Sequence, residues 1–239
     1  PALVAALADD DPGVRRETAD AVRELVEVLP DPGAFLDRLE SDDPVVRAVT
    51  VYLVSSRRVG SAQAYRTAST DTDHRVRIEA VRALVSVDDH TGVAAATTDE
   101  NREVRIAAVG GLATLRAGAD AVRLALEDRD PLVRAAALAS LGAVGCSEDD
   151  VVSVEKAFTE SAWQIRQGAA RALAGAAPEV AVPTLSRALE DQHLDVRKAA
   201  VLSLSRWAAS ESTARQALTV ALEDSDADVR AYARQALAG

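Results

Sequence analysis

A β-branched residue followed by arginine recurs from one end of the chain to the other at a nearly fixed interval, and no other feature limits the fold so strongly. The arginines are Arg15, Arg47, Arg77, Arg105, Arg134, Arg166, Arg197 and Arg230, separated by 28 to 33 residues. Before them stand Val14, Val46, Val76, Val104, Val133, Ile165, Val196 and Val229. Three residues after them stand Thr18, Thr50, Ala80, Ala108, Ala137, Ala169, Ala200 and Ala233, all small. Seven after them stand Val22, Val54, Leu84, Leu112, Leu141, Leu173, Leu204 and Leu237, all aliphatic. Offsets −1, +3 and +7 share one face of a 3.6-residue helix, so the pattern is a buried stripe written eight times. A period of this length implies a repeat array in which each unit buries its apolar face against its neighbours.

The residues ahead of each arginine open a helix. In Asp130-Pro131-Leu132-Val133-Arg134, the aspartate accepts from an orphan N–H of the first turn, and the proline stands where its missing donor costs nothing. Each period then holds a first helix and an arginine-bearing second one, in eight repeats at about 1–30, 31–60, 61–89, 90–116, 117–145, 146–176, 177–209 and 210–239. The second helix of repeat 1 is expected to reach Leu29, and the first helix of repeat 2 to run from Ala34 to Leu39. Thin apolar periodicity predicts short or irregular first helices at Ser61 to Ala68 and Thr91 to Thr97. In repeat 6, where Ala162-Trp163-Gln164 replaces Asp-Pro, Ser161 is expected to take over the cap. Arg234, at the otherwise apolar or small offset +4, predicts that no ninth repeat stacks on the last helix, whereas the abrupt N-terminus is compatible with truncation.

Only 3% of the residues are aromatic, so the core must be built from Ala, Val and Leu, which suits close helix packing. The single cysteine, Cys146, cannot form an intramolecular disulfide and reads as a small buried residue near a helix end. A net charge of −11 opposes non-specific attraction to nucleic acid or anionic lipid. There is no apolar run of membrane-spanning length and no basic stretch ahead of an apolar one at Pro1-Ala2-Leu3-Val4, which points to a cytoplasmic protein.

Helix pairs of this period, with Asp-x-x-Val-Arg openings and Ala and Leu at fixed offsets, resemble HEAT repeats, most closely the short subclass named for phycobilisome bilin lyases. The resemblance covers essentially the full chain. It implies an all-α, right-handed α-solenoid and, for function, a non-catalytic scaffold or adaptor binding another protein or peptide. The same repeats occur in bilin lyases, in a hydroxylase of a lysine-derived residue and, in related form, in alkyl-base DNA glycosylases; a chromophore-handling or DNA-binding, glycosylase-like protein is therefore the alternative. In the family, the arginine and the turn aspartates form a ladder between neighbours. By resemblance that role falls on Arg47, Arg77, Arg105, Arg134 and Arg197 with Asp43, Asp73, Asp130 and Asp195.

If −1, +3 and +7 point inward, offsets +1, +5 and +9 of stacked second helices line the concave face. There the expected partner-binding residues are Tyr52, Ile78, Arg82, Ile106, Gly110, Ala135, Ala139, Arg171, Lys198 and Arg206. The middle of this row, with Ala48 among them, is small and apolar, and such surface in a soluble protein marks an interaction site. Acidic Asp20 and Glu24 at one end and Arg171, Lys198 and Arg206 at the other would orient a bound segment. A tightly curled solenoid that buries the row against itself is the competing reading. No catalytic, metal-binding or cofactor-binding residues are assigned. His74, His90 and His193 fall in different repeats at turn or cap positions, expected to be solvent-exposed, and the paired aspartates sit where caps and turns want them. Trp163 and Trp207 invite a base-stacking role, but the basic patch is small and the row's centre apolar, so nucleic acid is not the expected partner.

Overall fold

The computed structural model describes residues 2–239, and every regular element among them is a helix. The chain divides into two compact units, one ending at Gly111 and the other spanning Leu112–Gly239. In the first unit, α1 (Ala2–Ala6) precedes α2 (Pro12–Glu24), and a 3₁₀ helix (Pro32–Glu40) precedes α3 (Pro44–Ser56). Then come α4 (Ala62–Ala68) with α5 (His74–Ser86), and α6 (His90–Ala95) with α7 (Arg102–Leu115), whose start belongs to this unit. In the second unit the pairs are α8 (Ala119–Ala125) with α9 (Pro131–Val144) and α10 (Glu148–Ala157) with α11 (Trp163–Ala172). They are followed by α12 (Pro178–Ala188) with α13 (Leu194–Leu204), and α14 (Ser212–Val220) with α15 (Ala227–Ala238).

The caps follow from the sequence. Asp11, Asp43, Asp73, Asp130 and Asp226 each accept from the backbone N–H two residues on, and Ser147 forms a capping box with Asp150. Ser161 does not take over as cap: α11 starts from Ala162 without a side-chain bond, and the Ser161 carbonyl instead accepts from Arg166 at 2.9 Å. The second helix of repeat 1 stops at Glu24, not Leu29. Beyond it the backbone tightens, Val28 and Leu29 both donating to the Leu25 carbonyl, and the Val26 carbonyl, which Pro30 cannot serve, accepts from Arg57 Nη1 at 2.7 Å, as the Leu29 carbonyl does at 2.9 Å. The first helix of repeat 2 is 3₁₀, not α: Asp31 makes no capping bond and Gly33 weakens the first turn, which leaves the tighter i→i+3 winding.

The stripe at −1, +3 and +7 is the core of both units. Val46, Leu84, Val104, Leu141, Val196 and Leu204 have no exposed surface, and each contributes roughly 1.5–3 kcal/mol by its burial. The departures are at the outer repeats, where Val14 beside the five-residue α1 is 38% exposed and Leu237 is partly exposed.

Each of the eight arginines does the same local job: its Nη1 donates to the carbonyl six residues earlier, at 2.6 to 3.0 Å. The ladder then runs from such an arginine to an aspartate of the next repeat, as in the pairs Arg15–Asp43, Arg47–Asp71, Arg77–Asp99, Arg166–Asp191 and Arg197–Asp224, at 2.5 to 2.8 Å. The ladder therefore exists, but its aspartates are mostly not those implied by the resemblance. Asp43 receives such an arginine, whereas Asp73 holds Arg75 and Asp195 lies beside His193; Asp130 caps α9 by accepting from the Leu132 N–H. Apart from Asp43, which is itself a cap, the aspartates of these pairs stand two residues before the cap, where they also accept the cap residue's own N–H, as Asp71, Asp191 and Asp224 do at 2.8 Å. Among the described residues Arg134 makes no ion pair of this kind, although the next repeat carries a carboxylate, Glu160, at the matching position. Burial works against ionisation of Asp71, Asp99, Asp191 and Asp224, yet the arginine and backbone hydrogen bonds outweigh it and hold each carboxyl below its ordinary range.

Candidate functional site

In the first unit, the outward row of the second helices is partly solvated and partly packed. Tyr52, Ile78 and Ile106 are half-buried, Arg82 and Gly110 are exposed, and Ala48 is buried. Tyr52 packs against the core of the first two repeats, and the Arg23 guanidinium lies 5.2 Å from its ring centroid. Arg82 is not a free charge. It pairs at 3.1 Å with Glu79, which is 6% exposed and also receives Arg23 at 3.3 Å. Tyr52, Arg23, Glu79 and Arg82 thus form one cluster across α2, α3 and α5. Glu79 and Arg23 escape the sequence reading because they sit at offsets +2 and +8, between the inward and outward sets. The single signal was a carboxylate at a position where neighbouring repeats carry Val49, Ala107 and Ala136.

In the second unit the same row changes character. Ala135 is buried, because α9 and α11 meet almost backbone to backbone. A Cβ added at Gly168 would stand 2.6 Å from the Ala135 carbonyl oxygen, and one at Gly175 2.6 Å from the Gly142 carbonyl oxygen. Small residues at this place serve close approach of two helices. Ala139 is half-buried, whereas Arg171 and Arg206 are exposed and make no ion pair among the described residues. Lys198 is held by Asp228 at 2.9 Å, which raises its pKa, so two unpaired cations remain of the expected three. Between them Leu202 is 53% exposed.

His74 and His90 are exposed as expected, but His193 is not a solvated turn residue. Its ring stacks on Trp163, with centroids 4.1 Å apart and an interplanar angle of 4°, and its Nδ1 accepts from the Asp195 N–H at 3.3 Å as the cap of α13. Trp207 is 8% exposed and belongs to the core. Cys146 is buried, and burial pushes its thiol up to about 11. No group of three or more His, Cys, Asp or Glu among the described residues is arranged to hold a metal ion. No helix among them is long and apolar enough to cross a membrane.

An array of helix pairs with this ladder and this stripe is a helical repeat protein, and the comparison of families says which. The profile of HEAT repeats matches residues 91–174 and 154–238, more than half of the chain, and the chain belongs to that family. Among solved structures, the crystal structure of an engineered protein is similar over 99% of this chain and 77% of its own, at 21% identity and a TM-score of 0.60, a likeness of fold. Human deoxyhypusine hydroxylase in complex with glycerol aligns over 99% of this chain and 94% of its own, at 20% identity and a TM-score of 0.42. No curated protein matches the sequence.

Proposed function

We propose that the chain is a non-catalytic scaffold that holds a partner protein or peptide against the outward row of its second helices. HEAT repeats generally serve as protein-interaction scaffolds, and the observation that carries the reading here is the row itself. In the first unit Tyr52, Ile78 and Ile106 keep apolar surface at the solvent edge, beside Arg82 and an open Gly110, at offsets where a solvated helix would carry charges throughout. A peptide laid over this row would find apolar anchors and, at Arg82 and Glu79, fixed polar partners. In the second unit the unpaired Arg171 and Arg206 flanking Leu202 offer the same kind of surface with a positive rim.

The test is affinity capture of the tagged protein from its native extract with nuclease present, comparing the wild type with Ile78→Asp plus Ile106→Asp. Loss of a stoichiometric partner with unchanged far-UV circular dichroism is expected. Undiminished capture by the double variant would sink the assignment of the row, and retention of nucleic acid alone in the absence of nuclease would favour the DNA-binding alternative.

A further inference from the structure

A cleft of about 400 Å³ lies on the first-helix side of the second unit, between the ends of α10 and α12. That volume falls in the range of small-ligand sites. Phe158 and Ala188 give it an apolar floor, and Glu155, Glu190, Arg187 and Asp191 stand around it. The charges are not equivalent. Asp191 is committed to the ladder by two bonds from Arg166, at 2.7 and 3.0 Å. Arg187 is tethered by Nη2 to the Thr184 hydroxyl at 3.1 Å, on a residue only 7% exposed. Glu155 and Glu190 are exposed and have neither an ion pair nor a side-chain hydrogen bond among the described residues. Both helices present C-terminal ends here, capped at Phe158 and Leu189, and their last carbonyls add negative potential.

We propose that this cleft is a second docking site and that it takes an arginine side chain of a partner segment. The alkyl stem lies on Ala188 and Phe158, the planar guanidinium faces the Phe158 ring, and the unpaired Glu155 and Glu190 carboxylates accept its N–H groups. Guanidinium is the cation that suits this set, because it is weakly hydrated, stacks on aromatic faces and offers a fork of donors to two separate carboxylates. The site is independent of the outward row: it lies on first helices and has the opposite charge to Arg171 and Arg206.

The experiment titrates the full chain, labelled with ¹⁵N, with acetyl-arginine amide and, separately, with acetyl-citrulline amide, its uncharged isostere. Saturable shifts confined to the amides of residues 155–159 and 184–191 are expected with the arginine compound, and at least about tenfold weaker binding with the citrulline one. Glu155→Gln plus Glu190→Gln, both at exposed positions that leave the core untouched, should weaken binding about tenfold. Arg187→Gln, which removes a cation from the cleft's lining, should strengthen it severalfold. Equal binding of citrulline, weaker binding by Arg187→Gln, or no saturable shift at these amides would each overturn the proposal.

Discussion

Gly168→Ala and Gly110→Ala are the same chemical change in the interior of two helices, and the structure assigns them opposite signs. Removing glycine from a helix interior is worth about 1 kcal/mol in the folded state's favour. At Gly110 a Cβ meets nothing within 4 Å, so that gain is realised. At Gly168 a Cβ would lie 2.6 Å from the Ala135 carbonyl oxygen and 3.0 Å from Leu138 Cβ. An ordinary carbon–oxygen contact is about 3.3 Å, so α11 must retreat from α9 by roughly 0.7 Å, since a backbone oxygen cannot swing aside. A gap of that size forfeits about a quarter to a half of the dispersion attraction across the contact. Overpacking of this kind costs about 1–3 kcal/mol, and steric contact with backbone belongs near the upper end. Subtracting the propensity gain leaves Gly168→Ala destabilising by about 1–2 kcal/mol. The two variants should therefore differ by about 2–3 kcal/mol in urea unfolding followed by circular dichroism at neutral pH. A Gly168→Ala protein as stable as the wild type would refute the claim that glycine is needed for the approach of these helices.

Two further outcomes follow from buried ionisable groups. The ladder aspartates have lowered carboxyl pKa values in the folded protein, so they add stability above the unfolded value near 3.9, and that stability is lost as pH falls through their folded values. The urea midpoint should thus be nearly flat from about pH 7 to 5 and fall steeply below about 4; Asp191→Asn should cost about 2 kcal/mol at pH 7 and progressively less towards pH 3, and a gap independent of pH would contradict the ladder's role. Cys146, buried and with its thiol raised to about 11, should react with iodoacetamide at pH 8 far more slowly than the same chain in urea, and equal rates would show the site to be open.

The core and the pairing of helices were legible because burial at −1, +3 and +7 needs no knowledge of neighbours: a helix with that stripe has one way to hide it. The ladder was legible in kind but not in detail. Asp71, Asp99, Asp191 and Asp224 look like ordinary turn residues, and only the reach of a guanidinium anchored six residues back shows why they outrank the cap Asp73 and the first-turn Asp195. The outward row was harder still. Whether an alanine such as Ala135 is open or pressed against the next helix depends on how close that helix comes, which is set by Gly168 and Gly175 in another repeat. Charge at the row also depended on partners outside it, on Glu79 one turn back along α5 for Arg82 and on Asp228 of the next repeat for Lys198.

The bond from each arginine to the carbonyl six residues earlier says where this chain can change length. The stretch from that carbonyl to the arginine is the same in every repeat, from Asp9–Arg15 to Asp224–Arg230, although the repeats themselves differ by up to five residues. All the variation is therefore taken up outside the clamped turn, in the first helix and in the joint between one second helix and the next first helix. A residue inserted between Val144 and Ser147 only lengthens a connection. One inserted between Asp128 and Arg134 would break the clamp and rotate every inward side chain of α9 by about 100° away from the core.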